Sequence, residues 1–149
     1  NSNISEFHMP RYQELPDVGL YLDQVVRYIN NVLERLGCQE ITASMVSNYV
    51  KKGYIDSPVK KQYYAEHMAY LFFIAIAKNV LSMENIGRLF AMQKRTHDTR
   101  TAYDYFCQEL EDVGTTASPE KKILRCAITA MSHIIYLGHC FEAMAADAE

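Results

Sequence analysis

Five polar residues of one short segment, Ser44, Ser47, Asn48, Lys51 and Lys52, recur at spacings of three and four, which gathers them on one side of a helix, and none of them is acidic. Such a face suits nucleic acid. Serine hydroxyls and an asparagine amide hydrogen-bond base edges, asparagine pairing bidentately with adenine, while lysine ammonium groups neutralise backbone phosphate. A second doublet, Lys60-Lys61, follows a few residues on, and Tyr63 and Tyr64 carry hydroxyls that can be offered to a phosphate oxygen. A lysine doublet taken alone is ordinarily a solvated helix end; what distinguishes these is their place beside the acid-free face. In an extended segment successive side chains point to opposite faces, so one of the two tyrosines is expected to pack in the core. Ser44, Ser47 and Asn48 are therefore the candidate base readers. Lys51, Lys52, Lys60, Lys61 and Tyr63 are the candidate phosphate contacts.

Other chemistries find no comparable footing. The sequence holds no glycine-rich phosphate loop, no GxSxG, no HExxH and no closely spaced acid pair in an apolar setting, so no enzyme and no catalytic residue is expected. Cys126, His133 and Cys140 lie seven apart on one helical stripe, but seven residues rise about 10 Å, too far for one metal with bonds of about 2.0–2.3 Å. No metal or cofactor is expected. A metal shared by these residues between two chains is the remote alternative.

The chain of 149 residues is the size of one domain with a helical extension and can bury a core without staples. Apolar residues make up 49% and charged residues 22%, with only six glycines and four prolines, which fits a globular chain rather than a disordered one. The longest apolar run, Met68 to Ala77, is half of what a bilayer requires, so no membrane association is expected. Residues Asn1 to Pro10 lack a basic start followed by an apolar stretch, and Cys38, Cys107, Cys126 and Cys140 form no CxxC pair. Reduced thiols and a cytoplasmic location follow as expectations. Net charge is −3, but it is unevenly spread: residues 37–96 carry eight Lys/Arg against four Asp/Glu, and residues 97–149 carry four against nine. The basic stretch is the one that contains the polar face.

Helices must position these groups. Asp17 can cap a helix to Leu36, with Val18, Leu22, Val25, Ile29, Val32 and Leu36 on one stripe and Gly37 as its stop. Thr42 is the expected cap of a second helix, Ala43 to Lys52, stopped by Gly53, with Met45, Val46, Tyr49 and Val50 inward. Two β-favouring pieces around Asp56-Ser57-Pro58 predict a small hairpin over 54–64. Ala65 to Leu81 is apolar nearly all round, Ser82 caps a helix to about Gln93, and Asp98 or Thr99 starts another that ends at Gly114. Ser118 and Pro119 open a last helix, about 40 Å long, reaching Ala146. Along it Ile123, Ala127, Ala130, Ile134, Leu137, Phe141 and Met144 form a heptad seam suited to a homodimer interface. The alternative is that this helix packs on the first one within a single chain.

Helix, turn, helix with a polar face, then a basic hairpin is an order that places a helix in the major groove and a wing on phosphate. Ser47-Asn48-Tyr49-Val50-Lys51-Lys52-Gly53-Tyr54-Ile55, Lys60-Lys61-Gln62-Tyr63 and Ser82-Met83-Glu84-Asn85-Ile86 resemble the recognition helix, wing and next helix of MerR-type regulators. Leu15-Pro16-Asp17, Leu20-Tyr21-Leu22-Asp23-Gln24-Val25 and Asn48-Tyr49-Val50-Lys51-Lys52-Gly53 resemble the bacterial domain of unknown function 1836 family, a resemblance covering residues 7–95. It implies an all-α fold with a MerR-like winged helix-turn-helix over 1–95; beyond it, the helix patterns themselves predict a C-terminal helical hairpin over 96–149 that dimerises or regulates. The chain departs from the MerR pattern at Ser47, where arginine is usual, and at Ala75 and Ala77, where charged residues are, which implies a different grip on phosphate. The expected function is sequence-specific binding of double-stranded DNA by a transcription regulator, with a helical protein-interaction module as the alternative.

Overall fold

The structure, a computed structural model, describes residues 8–111 and the helix from 119 to 148, the latter with its side chains at 126 and from 129 onward. Gly114 and Ser118, the expected stop and cap between the last two helices, lie outside the described residues. The fold is mostly helical. Two compact units divide the chain, Asn1–Glu111 and Asp112–Glu149. In the first, a 3-10 turn at Tyr12–Glu14 precedes α1 (Leu22–Leu36), α2 (Ala43–Lys51), α3 (Ala65–Ala77), α4 (Met83–Thr96) and α5 (Thr99–Glu111); in the second lies α6 (Pro119–Asp147).

The helix stops and caps are largely those of the local sequence. Thr42 Oγ1 accepts the Met45 N–H at 3.1 Å, and Ser82 Oγ accepts that of Asn85 at the same distance, each satisfying one of the donors that a helix start leaves free. At the start of α5, Asp98 Oδ1 takes the Thr101 N–H at 2.7 Å. The first helix differs from expectation: it begins at Leu22, not after Asp17, because Leu20 is extended and exchanges two backbone hydrogen bonds with Tyr63 (2.9 and 2.7 Å). Gln24 Oε1 then accepts the Tyr21 N–H at 2.8 Å and fixes the helix start. Val18, expected on the apolar stripe, lies outside the helix and is 60% exposed. At its other end α3 stops at Ala77 instead of Leu81, and the Asn79 side chain donates to the carbonyls of Ala75 and Ile76.

α3 is the axis of the first unit. Met68, Leu71, Phe72, Ile74 and Ala75 are buried, and the helix packs against both α1 and α5. Phe72 meets Tyr28 of α1 and Tyr103 of α5 at ring separations of 6.0 and 6.3 Å, and Phe73 meets Phe90 of α4 and Phe106 of α5 at 5.5 and 5.0 Å. Ring contacts at these separations add to the stabilisation from apolar burial.

α5, which the sequence places with the C-terminal hairpin, belongs instead to the first unit. Besides its rings, an ion pair holds it: Arg11 grips Glu111 with two hydrogen bonds of 2.8 and 2.9 Å, and the Met9 N–H reaches the same carboxylate at 2.7 Å. The Tyr103 hydroxyl donates to the Pro10 carbonyl at 2.7 Å. The guanidinium beside it holds the Glu111 carboxyl below the usual carboxylate range. Among the described residues no helix is long and apolar enough to cross a membrane, and Cys38, Cys107, Cys126 and Cys140 are all unbridged.

Candidate nucleic-acid interface

α2 is a nine-residue helix with one dry side and one wet one. Val46 is fully buried and Tyr49 nearly so, with Met45 and Val50 packed beside them. Ser44, Ser47, Asn48, Lys51 and Lys52 are all exposed. None of these five side chains has a hydrogen bond or ion pair among the described residues. The turn that delivers the helix is clamped from α1: Asn30 Nδ2 donates to the Ile41 carbonyl at 2.9 Å and Asn30 Oδ1 accepts the Ile41 N–H at 2.8 Å. Ile41 is buried, so the clamp seats the residue just before the Thr42 cap.

Gly53 closes the helix. With φ at 79°, it lets the Tyr54 N–H reach the Tyr49 carbonyl at 2.9 Å while its own N–H reaches Val50 at 3.0 Å, the paired bonds of a Schellman stop. The chain then runs through buried Ile55 to the basic turn.

The turn sits elsewhere than the Asp56-Ser57-Pro58 position expected from sequence. Val59 and Gln62 exchange two backbone hydrogen bonds of 3.0 Å, which makes Lys60 and Lys61 the two corner residues. Their φ angles are 51° and 65°, so both lie in the left-handed region, the geometry of a type I′ turn that ordinarily takes Asn-Gly. Two lysines here carry backbone strain. Both are exposed, and neither ammonium has a partner among the described residues. Among those residues the pairing amounts to two isolated bridges, Val59 with Gln62 and Leu20 with Tyr63, and not to a sheet.

Two residues lock this turn to the core. His67, buried at the start of α3, accepts the Tyr64 N–H at Nδ1 (3.0 Å) and meets the Ser57 carbonyl at Nε2 (3.1 Å), so the proton belongs on Nε2 and one ring holds both ends of the loop. Gly19 passes so close that a Cβ there would stand 2.8 Å from Gln62 Cβ and 2.9 Å from the Tyr64 ring. Tyr63 corrects an expectation: it is only 4% exposed, edge-on to His67 at 5.4 Å, and burial pushes its hydroxyl pKa up. Of the tyrosine pair it is Tyr64 that faces solvent, its hydroxyl 3.2 Å from Gln62 Oε1.

The sequence pattern of the family described as domain of unknown function (DUF1836) matches residues 10–106, well over half of the chain. The chain belongs to that family. No curated protein and no solved structure matches it. In this DUF1836 member the matched span begins beside Arg11 and ends at Phe106, so it takes in α1 to α4, the basic turn and most of α5.

In α6 the expected seam meets mixed surroundings. Ala130 and Ile134 are exposed, Leu137 and Met144 partly so, and Phe141 is buried, while the side chains of Ile123 and Ala127 lie outside the described residues. Met131, Ile135 and Tyr136, outside the seam, are 58–70% exposed. Cys126 and His133 are exposed, and among the described residues no three His, Cys, Asp or Glu side chains are grouped as metal ligands would be. Asn30 and Gly19 are not marked by any local motif, since their partners lie 11 and 43 residues away, and the long-range half of the His67 clamp, its contact with Ser57, spans 10 residues. A polar side chain bracketed by apolar helix positions, as at Asn30 and His67, is the signal the sequence does offer.

Proposed function

We propose that this protein binds double-stranded DNA as a sequence-specific transcription regulator, with a MerR-like winged helix-turn-helix. Asn48, Ser44 and Ser47 of α2 read base edges in the major groove; Lys51, Lys52, Lys60 and Lys61 hold backbone phosphate. The observation that carries this reading is the Lys60-Lys61 corner. Two lysines whose ammonium groups have no partner among the described residues occupy left-handed backbone positions that disfavour a long side chain, on a turn clamped by a buried histidine, and a phosphate-contacting wing gives a reason for lysine to be kept there. The second copy needed for a two-fold operator docks through α6.

Selection of bound sequences from a random duplex pool, followed by fluorescence anisotropy across salt concentrations, tests this. A motif should enrich. Asn48→Ala should lower affinity for that motif by about 1–3 kcal/mol and leave random duplex unchanged. No enriched motif, together with no detectable binding to any duplex at low salt, overturns the reading. The exposed apolar side chains Met131, Ile135 and Tyr136, in a chain of net charge −3, favour a second reading: a helical protein-interaction module. Sedimentation bears on both, since a chain that stays monomeric at high micromolar concentration has no two-fold partner.

A further inference from the structure

The first unit contains a concavity that neither its core nor its basic surface requires. It has a volume of about 330 Å³ and is walled by Ala69, Tyr70 and Phe73 of α3, Phe90 of α4, and Ala102 and Phe106 of α5. The aromatic walls are braced against one another: Tyr70 stands edge-on to Phe90 at 4.7 Å, and Phe73 touches both Phe90 and Phe106. Met92 and Tyr105, 41% and 68% exposed, flank the mouth.

We propose that this cavity between α3, α4 and α5 is a binding site for a small, neutral, apolar molecule built on one or two aromatic rings. The volume lies at the lower end of the range for small-molecule sites, roughly 300–1,000 Å³, and suits one compact ligand, not a helix laid along a groove. Of the polar side chains around it, Tyr70, Gln93 and Thr99 are already engaged with neighbours. The Tyr70 hydroxyl donates to Gln93 Oε1 at 2.8 Å, Gln93 Nε2 donates to the His97 carbonyl at 2.8 Å, and Thr99 Oγ1 donates to Glu66 at 2.9 Å. A ligand bringing its own charge or several hydrogen-bonding groups would find its partners taken and would lose its hydration. Glu109 is exposed at the mouth and the Lys94 ammonium lies 5.7 Å from the Tyr70 ring centroid, so the rim carries charges of both signs and favours neither anions nor cations. Ring faces and edges remain, which is what an aromatic hydrocarbon skeleton uses.

The test uses the full chain and prodan, a neutral naphthalene dye of two fused rings whose fluorescence rises and moves to the blue on leaving water. Saturable binding at one probe per chain is expected, with the methyl resonances of Ala69, Met92 and Ala102 shifting and that of Met45 in α2 still. Ala102→Phe, which fills the cavity, should weaken the probe at least tenfold, whereas Ile135→Ser in α6 should leave it unchanged. Should Ala102→Phe unfold the chain, the methyl shifts of the unaltered protein decide alone. Absence of saturable binding overturns the proposal, as do shifts at α6 or α2 instead of α5, or retained affinity in a folded Ala102→Phe. Fluorescence that appears only when an oligomer is diluted to monomer also overturns it, assigning the cavity to a second copy.

Discussion

α2 and α3 are joined by 13 residues yet are built for opposite purposes. α3 is apolar nearly all round apart from its first turn and meets neighbours on three sides; α2 sends only Val46 and Tyr49 fully into the core and leaves Ser44, Ser47, Asn48, Lys51 and Lys52 in water. A helix buried all round draws its stability from packing. One with a wet face depends on its ends, here Thr42 at the start, Gly53 at the stop and the Asn30 clamp on the turn before it. The lesson is a division of labour: rigidity resides in α3, and α2 with the Lys60-Lys61 turn displays chemistry on stability supplied by its neighbours.

That contrast can be broken most forcefully at Phe72. Phe72→Ala should lower unfolding free energy by about 3–5 kcal/mol in urea titration, whereas Ser47→Ala should stay within about 0.5 kcal/mol. The next effect has the opposite sign. Replacing Lys60-Lys61 by Asn-Gly relieves two left-handed lysines and should stabilise the protein by on the order of 1–2 kcal/mol, while flattening the salt dependence of duplex binding by about one unit for each lysine–phosphate ion pair removed. A variant that gains stability and keeps its full salt dependence would separate the turn from DNA binding. Thr42→Ala removes the cap of α2 and should destabilise by about 1 kcal/mol, measured by thermal unfolding. Smallest is the acid response of α5. The Arg11 hydrogen bonds lower the Glu111 pKa, so this contribution is complete above the ordinary carboxyl value near about 4.3 and fades as pH falls through the lower folded value. Glu111→Gln should flatten stability against pH in that acid range.

The features legible in the sequence are those that a few neighbouring residues decide. Thr42, Ser82, Gly37 and Gly53 bound their helices where local chemistry places them, because each acts within about one turn. The α1 start departs from its pattern since Leu20 answers to Tyr63, and extended pairing across 43 residues overrides a heptad stripe that would run back to Val18. The hairpin corner falls to Lys60-Lys61 for the same reason: a proline and an aspartate mark turns by propensity, but His67 holds Ser57 and Tyr64 at fixed points and the chain between them must bend at the lysines. Burial of Tyr63 in place of Tyr64 follows from that register, since side chains alternate and a shift of one residue exchanges them. α5 lies outside its expected unit because its strongest tie is to a residue 100 positions earlier, Arg11, which no local pattern announces.

That tie has a topological consequence. Since Arg11 and Glu111 are in contact, the chain enters and leaves the first unit at one place, and the unit is a nearly closed ring of about a hundred residues. A short linker could join those two ends and new ends could be opened at the exposed Asn79-Val80 connection between α3 and α4, giving a circular permutant in which α4 and α5 come first and α1 to α3 last. The lysine turn and α2 would then lie in the second half of the chain, the turn still anchored to α3 by His67 and α2 still clamped to α1 by Asn30.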